Sequence, residues 1–460
     1  MKEFKGREAE LRILSNKFDG DDFQMIILYG RRRIGKTELM NEFIRRQNCK
    51  SVSFTASEQS EKELLSIMTE TVLNVLAPDM IGLIDFVSFE KLFEFIGNKA
   101  KDERIVFFID EYPYLAKQCP QIQSVLQKVI DNHWKKSKMF LCLCGSLIAF
   151  MKDEILAEAA PLHGRATLEL RLQPFNYKDT AEFVQKYSFE EKAIVYGLTN
   201  GVAKYIEQFN DSKSLEQNII DEYFAFGGYF TEEQVKTIVT SEKQNPALYN
   251  SIVSAIATGH TRNSEIASYV GMDDISYPLK MLQKSEIIEK RMAGKPYYVL
   301  NDSMLIFWFK YVNRALSLIN VGRGEKYYHN AVSGKLHDFM GNVFEKMCKE
   351  FLMMKVGDDR YPIITEIDNF QKTIIDDEGK QKQIEVDIIG KDGKDILIIG
   401  ECKFKNEKVD KEVFECFIEK AHYIKGKNPL LCMFSLGGYT DYVKENAGEV
   451  LLLSIEDLYA

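Results

Sequence analysis

The sequence predicts an α/β protein made of a parallel sheet, a helical lid, a winged helix and a second α/β domain. Three observations carry that expectation. "ILYGRRRIGKTELM" at 27–40 reads as a short apolar strand, a glycine loop and a helix. Two further β-prone runs, "RIVFFID" at 104–110 and "MFLCLCGS" at 139–146, alternate with helical segments such as "PQIQSVLQKVIDNHWKK". That alternation implies a parallel sheet with sites at the carboxyl ends of its strands. Near the end of the chain, "EVDIIGKDGKDILIIGECKF" at 385–404 reads as a β-hairpin in another α/β setting.

The 460 residues suffice for about three domains, each able to bury its own core. Apolar content of 45% and charged content of 28% are ordinary for globular protein, and no run reaches the ~18 apolar residues of a membrane span. The start "MKEFKGREAE" lacks the apolar core of a secretion signal, so a cytoplasmic protein away from membranes is expected. The eight cysteines form no C-x-x-C pair and read as buried free thiols, Cys142 and Cys144 on an apolar strand among them. Six scattered histidines offer no zinc spacing, so any metal should take oxygen ligands. The net charge of −9 argues against coating nucleic acid by bulk electrostatics. Local basic faces remain at "RRR" (31–33), "HWKKSK" (133–138) and the Lys/Arg scatter from 280 to 295.

In order, residues 1–175 hold the sheet with its glycine loop. Residues 176–244 are helical, punctuated by Gly201 and Gly227-Gly228, and read as a lid. Residues 245–329 give three helices, "ALYNSIVSAIATG", "RNSEIASYVG" and "SYPLKMLQKSEIIEKR", then a "KPYYVL" strand, the plan of a winged helix. An apolar helix, "DSMLIFWFKYVNRALSLIN", follows, with "GRGEKYYHN" as an exposed connection. Residues 330–460 run helix "KLHDFMGNVFEKMCKEFLMM", strands around 384–404, helix "EVFECFIEKAHYIK", strand "PLLCMFSL", helix "DYVKENA" and strand "EVLLLSI".

"GRRRIGKT" fits G-x-x-x-x-G-K-[ST] between a strand and a helix, the P-loop arrangement for ATP and Mg2+. Gly30, Arg31, Arg32, Arg33, Ile34, Gly35, Lys36 and Thr37 form the phosphate cradle, with Glu38 next in the helix. The glycines let backbone N–H groups close on phosphate, and the helix start adds its positive end. Lys36 is expected at the β- and γ-phosphates and the Thr37 hydroxyl at magnesium. Asp110 emerges from its strand where a carboxylate supports the magnesium, and Glu111 is placed to orient and deprotonate the attacking water. Ser146, ending the next strand, is a candidate γ-phosphate sensor.

"FKGREAELRIL", "YGRRRIGKTELM", "FFIDEYPYL", "LCGSLIAFM", "PLHGRATLELRLQPF" and "NGVAKYI" together resemble the archaeal-type ATPase family, which is similar to the AAA+ and STAND ATPases. The resemblance covers most of residues 1–300. It implies an ATP-driven switch, with Gly6 and Arg7 near the adenine and Arg165 of "HGR" as an arginine finger that would act in a homo-oligomer. A surface salt bridge is the other reading of Arg165. Where related STAND proteins carry glycine-x-proline in the lid, this chain has Gly201-Val202-Ala203.

In the hairpin, alternation puts Glu401 and Lys403 on one face of a strand. Asp387 shares that face if the hairpin pairs it with residue 397 or 399, which "KDG" at 391–393 allows as a three-residue turn with Gly393 in the left-handed bend. Two carboxylates would then hold Mg2+ beside a lysine, with Glu345 supplying a further carboxylate from the preceding helix. Glu401 follows "ILIIG", a run expected to be buried on both faces, where charges are costly without a metal or partner. The pattern is that of the PD-(D/E)XK restriction-endonuclease-like nucleases, and "GECKF" resembles the nuclease-like domain found behind this ATPase family. "EIDNFQKTIIDDEGKQKQ" departs from the glycine-arginine-tryptophan stretch expected before the aspartate strand.

The expected function is an ATP-hydrolysing switch that controls a metal-dependent nuclease-like domain acting on DNA. A DNA-binding regulator with a catalytically silent C-terminal domain and a signalling scaffold are the alternatives. The helix "SYPLKMLQKSEIIEK" offers Lys280, Lys284 and Lys290 but no arginine, so base-specific reading is not evident.

Overall fold

The computed structural model describes residues 4–231, 245–293, 295–375 and 381–460, so the end of the expected lid at 232–244 lies outside the described residues. The chain divides into two compact units. The first comprises 1–174, 202–204 and 280–286, and the second 175–201, 205–279 and 287–460.

In the first unit five strands form one parallel sheet, β1 (Gln24–Tyr29), β2 (Lys50–Thr55), β3 (Ile105–Asp110), β4 (Met139–Gly145) and β5 (Leu168–Arg171). Their spatial order is β2-β3-β4-β1-β5. The central strands are buried along nearly their whole length, which is why they stand out as apolar runs. The edge strands β2 and β5 alternate buried and exposed positions or carry charge, so neither forms an apolar run that marks it as a strand. A core of Phe93, Phe107, Trp134 and their neighbours packs on the sheet, and the Trp134 indole donates to the Phe93 carbonyl. β3 ends at Asp110, and Gly30 and Ser146 directly follow β1 and β4, which brings three sequence-distant residues to one edge.

The second unit holds most of the expected lid. Helix Phe189–Thr199 starts on a capping box between Ser188 and Glu191, and Gly197 lets it approach Met340 and Val343 of helix Leu336–Met354. The Tyr177 hydroxyl donates to the Leu458 carbonyl, and Phe189 stacks on Tyr459, so these helices pack with the end of the chain. Helices Pro246–Ala257, Asn263–Val270 and Ser276–Lys284 precede an antiparallel pair, β6 (Ile288–Ala293) and β7 (Lys295–Leu300); the third helix stops at Lys284, and the end of "SYPLKMLQKSEIIEKR", with Lys290, pairs as strand β6 instead of continuing the helix. The expected exposed connection "GRGEKYYHN" is instead largely a helix, Gly324–Ala331, with Tyr328 buried. Gly324 makes this fit, since a Cβ there would lie 1.8 Å from the Phe224 carbonyl oxygen.

The C-terminal sheet is mixed, in the order β12-β11-β10-β9-β8. β8 (Glu366–Ile375), β9 (Gln381–Asp392) and β10 (Asp395–Lys403) form an antiparallel meander; β11 (Leu430–Ser435) and β12 (Leu451–Ser454) continue in parallel. β8 falls in the stretch that matched no expected pattern. The turn between β9 and β10 has two residues, Gly393 and Lys394, not three. A bulge between Ile396 and Ile398 supplies the odd residue that the turn lacks, and Gly393 does take a left-handed φ of 58°.

Candidate functional site

The phosphate loop is shaped by backbone that few residues tolerate. Gly30 sits at φ 155°, where a Cβ would meet the Leu172 carbonyl oxygen at 2.4 Å. Arg33 and Gly35 take φ 71° and 93°, and Gly35 starts helix Lys36–Gln47. Left-handed residues of this kind let successive N–H groups converge into an anion-binding concavity. Lys36 is buried, its Nζ donating to the Gly30 and Arg31 carbonyls at 3.0 Å each. Burial pushes its ammonium below the usual lysine range, so an approaching phosphate would gain a poorly solvated cation. Ile34 is fully buried under the loop, whereas Glu38 is exposed in the helix's first turn.

Thr37 donates its hydroxyl to Asp110 Oδ2 at 2.6 Å, which joins the two residues expected around Mg2+. These hard oxygens suit that ion. Glu111 occupies a left-handed φ of 49° and leads helix Tyr112–Gln118; backbone of that kind costs about 1–3 kcal/mol and clusters at functional sites. Ser146 Oγ lies 2.9 and 3.0 Å from the two Glu111 carboxylate oxygens. Arg32 donates to the Tyr114 hydroxyl at 2.7 Å, with its Nε 3.5 Å from Ser146 Oγ. Gly6 and Arg7 also have positive φ, and the Arg7 guanidinium donates to the Ile34 carbonyl at 3.2 Å. The loop has a further neighbour in Lys204, whose N–H donates to the Arg33 carbonyl. The residues after Gly201-Val202-Ala203 therefore reach the loop without a proline.

Arg165 is engaged by its own chain. Its Nε and Nη2 donate to the two Asp131 carboxylate oxygens at 3.2 and 2.6 Å, and its Nη1 donates to the Pro161 and His163 carbonyls. Arg165, and then Lys135, hold the Asp131 carboxyl down to about 2.

In the second unit, the β9/β10 register continues from Gly400 opposite Ile388 to place Glu401 beside Asp387, in place of the expected residue 397 or 399, because the two-residue turn closes the hairpin further along the chain. Asp387 Oδ2 accepts from the Cys402 N–H at 2.8 Å. Glu401 is 5% exposed; its Oε1 accepts from Lys403 Nζ at 2.8 Å and Lys420 Nζ at 3.1 Å, while Oε2 is buried without a hydrogen-bond partner. Burial, then the Glu401 charge, raises the Asp387 carboxyl above its ordinary range. Burial opposes ionisation of Lys403, yet Glu401 and Asp387 hold its ammonium above the usual value. Glu345 is also raised, by burial and by Asp387, and accepts from Asn369 Nδ2 at 2.9 Å. Among the described residues no three His, Cys, Asp or Glu side chains group to hold a metal, so Glu345 does not complete a three-carboxylate cage. Two converging carboxylates with an unpartnered buried oxygen still fit Mg2+, which commonly takes one or two carboxylates plus solvent and phosphate oxygens.

A family model described as an ATPase domain predominantly from Archaea matches residues 4–209. A second, described as archaeal and bacterial proteins of unknown function, matches residues 308–414. An uncharacterized protein of Methanocaldococcus jannaschii is 30% identical over 366 residues, 76% of this chain and 77% of that one. The chain belongs to this archaeal ATPase family. An uncharacterized ATP-binding protein of the same organism is 42% identical over 50 residues, 11% of this chain and 85% of its own length. Among solved structures, the Aeropyrum pernix ORC2 protein in ADPNP-ADP complexes aligns at TM-score 0.43 and 12% identity, covering 68% of this chain and 95% of that one. The Thermotoga maritima RuvB Holliday junction branch migration motor aligns at 0.34 and 14%, covering 65% and 93%. Likenesses this distant carry no functional argument.

The chain brings Lys36, Thr37, Asp110, Glu111 and Ser146 to one sheet edge, and Asp387, Glu401 and Lys403 to one hairpin face. Lys420, Tyr114 and Asp131, which bond Glu401, Arg32 and Arg165, have no signal of their own in the sequence. Each is an ordinary polar residue on a helix or loop, and its partner is far away in sequence, as Glu401 is from Lys420. Among the described residues no helix is long and apolar enough to cross a membrane. All eight cysteines are free; Cys416 is exposed and Cys49 partly so, while the other six are buried.

Proposed function

We propose that this chain hydrolyses ATP as a switch over its C-terminal domain, which acts as a metal-dependent nuclease on DNA. The observation that carries the nuclease half is the juxtaposition of buried Glu401 with the partly buried Asp387 and Lys403 on one face. An apolar sheet does not retain such charges for stability alone, because burying them costs several kcal/mol apiece even after relaxation.

At the first site Lys36 would neutralise the β- and γ-phosphates, and the Thr37–Asp110 pair would hold the magnesium side. Glu111 would leave Ser146 to orient water and take its proton. At the second, a Mg2+ held by Asp387 and Glu401 would polarise the phosphodiester. Lys403 would hold an ammonium against developing charge, and the Cys402 N–H keeps Asp387 in place. The DNA partner, the homo-oligomer and the role of Arg165 as a finger belong to this proposal as well.

A second reading has a specific observation in its favour. Two lysines already neutralise Glu401, which would also suit a silent domain in a DNA-binding regulator or scaffold. The test is incubation with plasmid and short duplexes, in Mg2+ or Mn2+, with and without ATP. Cleavage lost in Asp387→Ala while phosphate release persists supports the nuclease. Binding without cleavage under every condition leaves the regulator, and neither binding nor cleavage leaves the scaffold.

A further inference from the structure

Glu401 is an unusual carboxylate in where its partners sit. Both ammonium groups meet the same oxygen, Oε1, at 2.8 and 3.1 Å, and the buried Oε2 is left alone. The two lysines arrive differently. Lys403 lies two residues along the same strand, so the strand that carries Glu401 fixes it. Lys420 comes from helix Lys411–His422, a separate element, and its side chain is 26% exposed. It can withdraw to solvent without moving the strand.

Charge makes that withdrawal matter. Asp387 and Glu401 supply two negative charges, and Lys403 and Lys420 two positive ones; both lysines lie in the field of Asp387 as well. The four groups are neutral together. A divalent cation entering the set meets two positive charges at close range, a repulsion that a partly buried site screens poorly. We propose that Lys420 is a built-in competitor for the metal position. It neutralises Glu401 until a cation displaces it, so engagement of the Lys420 side chain sets the affinity of the site. The inference rests on the nuclease reading of Asp387 and Glu401.

The test is Mn2+ binding to the full chain without nucleotide, followed by electron paramagnetic resonance titration of free Mn2+. Lys420→Met should tighten binding on the order of tenfold, the usual reach of one adjacent charge. Lys420→Arg, which keeps the charge, should bind as wild type does. Adding Asp387→Asn to Lys420→Met should remove the gain. Circular dichroism melts of each variant identify any that fail to fold, and Lys420→Gln then replaces Lys420→Met. Equal Mn2+ affinity in wild type and Lys420→Met, with both dependent on Asp387, overturns the role of Lys420 and leaves the metal site standing. Absence of Asp387-dependent Mn2+ binding in every variant overturns both.

Discussion

At Asp387 the folded chain makes ionisation harder than in the unfolded chain, through burial first and the charge of Glu401 second. The sign of the linkage follows. A carboxylate with a raised folded pKa subtracts stability as the pH climbs from the unfolded value of about 3.9 through the folded one. Asp387→Asn removes the charge and keeps an oxygen to accept the Cys402 N–H. It should therefore raise the thermal midpoint at neutral pH, with the gain vanishing below about pH 4. A midpoint lowered at neutral pH would show that the ionised form is the stabilised one. Stability gained where activity is lost is the usual mark of a functional charge. Lys36 and Glu111 make the matching pair at the other site. Lys36→Ala should abolish nucleotide binding, because the cation between the Gly30 and Arg31 carbonyls is gone. Glu111→Gln should keep ATP bound and slow phosphate release by about 10²-fold or more. Equilibrium binding of a labelled nucleotide beside measured phosphate release separates them, and unchanged turnover in either variant removes its role.

Between elements, Gly201 makes a tight approach at the start of the lid, at φ 69°, where a Cβ would fall 1.9 Å from the Phe175 carbonyl oxygen. The Phe175 N–H in turn donates to the Gly201 carbonyl at 2.8 Å. Gly201→Ala should cost about 1–3 kcal/mol for the left-handed backbone and a similar amount for the forced shift. A denaturant midpoint equal to wild type would mean that this junction yields freely. Legibility in the sequence follows the same physics. Strands buried on both faces, β1, β3, β4 and β10, announce themselves as apolar runs, and the residues that end them are legible in the amino-acid order alone. β2, β5 and β8 sit at sheet edges or carry mixed polarity, so their partners, not their own sequences, make them strands. The expected sharing of one face by Asp387 and Glu401 arises from a different cause. A three-residue turn and a two-residue turn with a bulge give the same parity, and only the pairing between strands distinguishes them. Lys420 leaves no local mark because helix Lys411–His422 would read as amphipathic with or without it.

For the whole molecule the open quantity is assembly, and Arg165 is where it can be read. An arginine finger acts on the phosphate of a neighbouring subunit, yet here every nitrogen of the guanidinium is bonded within its own chain, two of them to Asp131. To serve a neighbour, Arg165 must first leave Asp131. Assembly then has to supply at least what that partly exposed ion pair contributes, about 1 kcal/mol. Asp131→Asn lowers this barrier. Specific ATP turnover should rise with protein concentration in the wild type, rise at lower concentration in Asp131→Asn, and lose its rise in Arg165→Ala with a fall of about 10³-fold. Sedimentation with a non-hydrolysable nucleotide reports the assembly itself. If turnover per chain stays flat across concentrations and the particle stays a monomer, the finger is ruled out and the pair is structural. Its signature is then in the acid limb of stability. With Asp131 held at about 2, the pair stabilises fully above about pH 4 and is lost as the pH falls from there toward that value. The difference in midpoint between wild type and Asp131→Asn should close over that window, whichever role Arg165 has, so the concentration series alone decides between them.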